Sequence, residues 1–128
     1  MTYAKSFRDL EVYKLSRELA REIFHISKSF PKEETYSLTD QIRRSSRSVG
    51  AQIAEAWAKR KYEKHFTSKL TDADGEQQET QHWLETAYDC DYIDETTLKH
   101  LLNRYKSVGK MINGMISKSK LFCKVFDS

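Results

Sequence analysis

Four stretches of the chain repeat apolar residues at alternating spacings of three and four, the pattern of a helix that buries one stripe. The first predicted helix covers residues 9–29, with Val12, Ser16, Leu19, Ile23, Ile26 and Phe30 facing inward. Phe30-Pro31 ends it, because a residue before proline is pushed out of the helical region. The second covers 35–60 and starts at Thr35 or Ser37, either of which can cap it. Its stripe is Leu38, Ile42, Ser45 and Ser46, Val49, Ile53, Ala56 and Trp57. The third covers 62–91 through Phe66, Leu70, Ala73, Gln77, Thr80, Leu84 and Ala87. Gly75 lies inside it and weakens it by about 1 kcal/mol relative to alanine. The fourth covers 94–119, capped by Asp94, with Leu98, Leu101, Leu102, Tyr105, Val108, Ile112, Met115 and Ile116 inward.

Connections this short force neighbouring helices to run antiparallel, so the expected fold is an all-α, up-down-up-down four-helix bundle forming one domain over 1–128. A single proline and four glycines leave long helices almost uninterrupted. The apolar end, Leu121-Phe122-Cys123-Lys124-Val125-Phe126, is expected to pack on the bundle or on another subunit, or else to fray.

The 22 basic residues exceed the 19 acidic ones by a formal charge of only +3. Such a balance identifies no nucleic-acid partner by itself; the distribution of the charges has to do so. Cys90 and Cys123 form neither a CxxC pair nor a zinc spacing. No apolar run is long enough to span a bilayer and the first residues lack a signal-peptide core, so a cytoplasmic location with no membrane contact is expected.

Two helices carry a second face. Beside the stripe of the second helix lie Gly50, Ala51, Ala54 and Ala58, and beside that of the first lie Tyr13, Ala20 and Phe24. Together they predict a subunit interface, although alanine also serves helix propensity alone. Arg43, Arg44 and Arg47 are level with Glu76 and Glu79 once the second helix folds back on the third, which predicts salt bridges; Arg43 and Arg47 are otherwise phosphate ligands. On the fourth helix Lys99, Lys106, Lys110, Lys120 and Lys124 share one side of the wheel with no acid between them. That is the footprint expected for a phosphate backbone, although such a run is more often a solvated face. The polar members of the second and third stripes (Ser45, Ser46, Gln77, Thr80) are expected to form a buried hydrogen-bond layer.

Signs of catalysis are weak. Glu22-Ile23-Phe24-His25 and Glu79-Thr80-Gln81-His82 have the i, i+3 spacing of bundle di-iron ligands. His25 falls off the core face, however, and arginine and lysine occupy the matching levels of the other helices. No HExxH, glycine-rich phosphate loop or GxSxG elbow is present. No catalytic residue, metal ligand, cofactor or small-molecule substrate is therefore expected.

Several of these segments resemble one family. The opening Phe7-Arg8-Asp9-Leu10-Glu11-Val12-Tyr13 and the longer Phe30-Pro31-Lys32-Glu33-Glu34-Thr35-Tyr36-Ser37-Leu38-Thr39-Asp40-Gln41-Ile42-Arg43-Arg44-Ser45-Ser46 look like motifs of the four-helix proteins encoded by intervening sequences in bacterial 23S rRNA genes. Ser48-Val49-Gly50-Ala51-Gln52-Ile53-Ala54-Glu55-Ala56 follows their Ser-Ile/Val…Asn-Ile-Ala-Glu-Gly pattern, with Gln52 and Ala56 as departures. Ala73-Asp74-Gly75-Glu76 with Glu79 matches their Gly-Ser-x-x-Glu region, with Asp74-Gly75 in place of Gly-Ser, and Tyr92-Ile93 matches the usual Gly-Tyr-Ile. That family is similar to the accessory variability determinant proteins of diversity-generating retroelements, which form barrel-shaped homopentamers and bind nucleic acid and a reverse transcriptase. The resemblance thus implies a homopentamer and these partners. The expected function is a non-enzymatic oligomeric module that binds structured RNA as a ribonucleoprotein adaptor; the alternative is a protein-interaction scaffold with no nucleic-acid role.

Overall fold

The computed structural model describes residues 4–124. Among them, four long helices follow one another: α1 (Glu11–Ser27), α2 (Asp40–Ala58), α3 (Glu63–Asp89) and α4 (Glu95–Ser117), then a short α5 (Ser119–Cys123). Each long helix packs on the next and α1 returns to α4, giving the expected antiparallel bundle. No strand occurs among the described residues.

The helix starts have local causes. A capping box over Ser6 and Asp9 forms a 3-10 turn, Phe7–Asp9, ahead of α1. Asp94 accepts the Thr97 N–H at 2.7 Å and starts α4 as expected. Before α2 the cap differs from expectation. Neither Thr35 nor Ser37 is used; the Glu34 carboxylate accepts the Leu38 N–H, and a π-helical turn, Thr35–Thr39, leads into α2. Ser37 has non-helical φ/ψ there and Thr35 donates back to the Lys32 carbonyl. The long third stripe survives Gly75, because its neighbours Ala73 and Gln77 are both buried.

α3 ends in a Schellman turn: the Tyr92 N–H reaches the Ala87 carbonyl at 2.9 Å and the Asp91 N–H reaches that of Tyr88. Asp91 takes the left-handed position at φ 63°. Glycine would carry no Cβ penalty there.

One hydrophobic cluster runs through the bundle, with Leu19, Ile23, Ile42, Ile53, Phe66, Leu70, Leu84 and Ile112 fully buried. Each contributes about 1.5–3 kcal/mol by leaving water. On α1 the stripe turns slightly: Ser27 is buried and Ile26 only half so. The polar layer forms in part. The Thr80 and Ser45 hydroxyls meet at 2.8 Å across α2 and α3, whereas Ser46 bonds the Arg43 carbonyl of its own helix. Gln77 donates to Asp74 and accepts from Gln81, a ladder along α3. Gly109 of α4 packs against this ladder; a Cβ there would stand 2.8 Å from Gln77 Nε2.

A break at Lys118 (φ −107°, ψ 21°) turns α5 back onto the bundle. Phe122 stacks on Phe66, Cys123 is buried and Leu121 is 66% exposed. The apolar end therefore packs on its own bundle as far as Lys124; Val125 and Phe126 lie outside the described residues. Among the described residues no helix is long and apolar enough to cross a membrane.

Candidate nucleic-acid interface and subunit faces

The lysines expected to form an acid-free track on the fourth helix do not do so. Lys99 pairs with Glu95 at 2.7 Å, one turn back, and this hydrogen bond raises its pKa. Lys106 and Lys110 border a groove of about 690 Å³ whose opposite wall, α3, brings Asp74, Glu85 and Asp89. Lys120 lies past the break at Lys118 and leans on Glu63 at 3.7 Å. Lys124 follows α5. The single-helix wheel missed these acids because α3 supplies most of them, and because it was extended past the point where α4 ends.

The arginine row divides. Arg44 alone pairs with Glu76 and Glu79. Desolvation works against its charge, but the bonds and charges of Glu79 and Glu76 more than offset it and raise its pKa. Arg43 instead bonds Ser27 at 2.8 Å and lies over the Phe24 ring, as does Arg47 at 5.6 Å. Residues 43 and 47 are one turn apart and share a face toward α1, while residue 44 is rotated by about 100° toward α3. The expected salt bridges thus form for one arginine of three.

Tyr13, Ala20, Gly50, Ala51 and Ala54 come together, with Phe7 and Arg47, in a mainly apolar groove of about 330 Å³ between α1 and α2. Gly50 packs within the bundle, since a Cβ would meet Ser16 Oγ at 3.4 Å and Tyr13 at 3.6 Å. Phe24 sits beyond the groove under its cations. Ala58 is exposed near the end of α2, outside the groove lining.

The histidines of the two Glu-x-x-His pairs are exposed. Glu22 faces His100 at 3.5 Å, and Glu79 takes Arg44 and the Trp83 indole N–H. No group of three or more potential metal ligands occurs among the described residues. The buried Tyr105 hydroxyl has its pKa raised by desolvation and by Glu22.

Sequence reasoning missed how charge sorts along the bundle axis. The α2–α3 turn brings Lys59, Arg60, Lys61 and Lys64 to one end; the α4–α5 break brings Lys118, Lys120 and Lys124 to the same end, where Lys5 and Arg8 precede α1. The acids there are engaged: Asp9 accepts the Lys5 and Ser6 N–H groups, Glu11 faces Lys14, and Glu63 accepts the Ser119 hydroxyl. The opposite end carries Glu33, Glu34, Asp89, Asp91, Asp94 and Glu95. The sequence signal for it is the run Lys59-Arg60-Lys61-Tyr62-Glu63-Lys64-His65 at the boundary of two helices.

No curated protein matches the chain. Among solved structures, a protein of unknown function from the S23 ribosomal protein family of Bacteroides thetaiotaomicron is 30% identical, with a TM-score of 0.75 over 83% of this chain and 95% of that one. The model of the 23S rRNA-intervening sequence protein family matches residues 8–114, which include all four long helices except the last turn of α4. With its motifs, its bundle and this match in agreement, the chain belongs to the 23S rRNA-intervening sequence protein family.

Proposed function

We propose that this protein is a non-enzymatic, homo-oligomeric adaptor that binds structured RNA through its phosphates. The observation that carries the reading is the charge polarity of the bundle. Exposed Lys61, Lys64, Lys118 and Lys124, with half-buried Lys59, crowd one end, where the described acids Asp9, Glu11 and Glu63 already have partners. A concentrated positive field of this kind displaces counterions from a polyanion, with little dependence on base sequence.

The groove between α1 and α2 supports the oligomer. It joins small residues to an apolar floor along the flank of α1 and α2, and Phe7 carries it toward the lysine-rich end. A cyclic assembly through that side gathers several basic ends on one rim, which multiplies affinity without new contacts.

Size exclusion coupled to light scattering, with and without structured RNA at two salt concentrations, tests both parts. An oligomer that shifts with RNA and releases it as salt rises is expected. An oligomer indifferent to RNA at low salt refutes the RNA part and leaves the protein scaffold; a monomer refutes the assembly. Ala54→Arg, which fills the groove without touching the buried core, is expected to dissociate the oligomer.

A further inference from the structure

We infer that the basic end holds unpaired nucleotides, with Tyr62 as the platform on which a base stacks; this rests on the RNA-binding reading above. Tyr62 caps the start of α3 in extended conformation and is 57% exposed, although a tyrosine of its size gains by burial. It does not stand alone. His65, one turn on and also exposed, sets its ring 5.5 Å from that of Tyr62 at 46°, so the two form an adjoining, tilted aromatic pair. Behind it Arg60 lies 3.6 Å over Trp57 and bonds the Trp57 carbonyl, which fixes the turn that presents Tyr62.

Cations flank this aromatic pair. Lys61 Nζ is 5.9 Å from the Tyr62 ring, and Lys64 is exposed on the following turn. Glu63, the acid between them, is occupied: it accepts the Ser119 hydroxyl at 2.6 Å and faces Lys120 at 3.7 Å. An aromatic face flanked by cations is the arrangement that binds single strands: the base stacks and the phosphates meet lysine. In a duplex the faces of the bases are covered, so a ring in this position has nothing to stack on. A plain cation patch needs no exposed tyrosine.

The test compares a 12-nucleotide oligouridylate with an RNA duplex of the same length, by fluorescence anisotropy at low salt. Tyr62→Ala is expected to weaken single-strand binding about tenfold, with duplex binding changed less than about twofold. Tyr62→Trp is expected to restore it, which separates stacking from damage to the turn. Equal loss for both RNAs, or no loss for either while Lys61→Glu/Lys64→Glu weakens both, overturns the platform and leaves phosphate binding standing. Heparin competing as well as oligouridylate of equal charge also overturns it. If the wild-type protein binds neither RNA, the function proposed above fails, and this inference with it.

Discussion

The two ends of the bundle use their charges differently. At the acidic end the carboxylates complete the fold. Glu34 caps the turn before α2 and also accepts the Tyr92 hydroxyl at 2.9 Å, which pushes the Tyr92 pKa up to about 12. Asp94 caps α4, and its bonds from Thr97 lower its pKa. At the basic end Asp9 and Glu63 are again engaged in the fold, but Lys59, Lys61 and Lys64 complete no cap and make no salt bridge among the described residues. A charge that satisfies a backbone group or a buried hydroxyl is explained by folding. An array of like charges with no such task weakens the folded state by self-repulsion, so folding does not account for it.

This contrast can be broken most sharply at the lysines. Lys61→Glu/Lys64→Glu is expected to lower RNA affinity by about tenfold or more and to flatten its salt dependence. Glu33→Lys at the other end should leave RNA binding unchanged. Equal effects from both, in a filter-binding titration, would show that only net charge matters.

Gly109, between the ends, calibrates the cost of disturbing polar groups that the fold does use. Gly109→Ala presses on Gln77, which Asp74 and Gln81 hold from both sides. Overpacking of this kind is expected to cost about 1–3 kcal/mol in urea unfolding, with no direct effect on RNA. A neutral result would mean that the ladder along α3 yields easily.

Asp91→Gly should act in the opposite direction. A left-handed non-glycine residue costs about 1 kcal/mol, so glycine at φ 63° is expected to raise the unfolding midpoint by a few degrees. An unchanged midpoint would assign the Asp91 side chain a compensating role.

The smallest effect expected is alkaline. The folded state raises the Tyr92 pKa above the ordinary value of 10.0, so it favours the protonated phenol. The stabilisation is complete below pH 10 and is lost as pH rises through about 12. Tyr92→Phe should flatten stability over that window only. For Asp94 the sign reverses: its lowered pKa means that its contribution is present above its ordinary value and is lost as pH falls through the folded value.

The helices were legible because burial imposes a period. The core positions of α3 and α4 repeat at three and four whatever lies beside them, and Asp94 caps through a local bond. The start of α2 was less legible, since a carboxylate at Glu34 competed with two hydroxyls and also had a distant partner in Tyr92. The candidate site was the least legible part. Arg43 and Arg44 are adjacent in sequence, yet one reaches Ser27 and the other Glu76 and Glu79.

The sequence alone determined four amphipathic helices, their antiparallel order and the family, because periodicity, short connections and motifs are properties of the chain itself. The tertiary structure decided which lysines face acids, which arginines are engaged, and that cations from the α2–α3 turn and from the α4–α5 break meet at one end. The physical reason is distance: an electrostatic environment is set by charges within a few ångströms in space, and residues 63 and 120, or 44 and 79, become neighbours only when the helices pack.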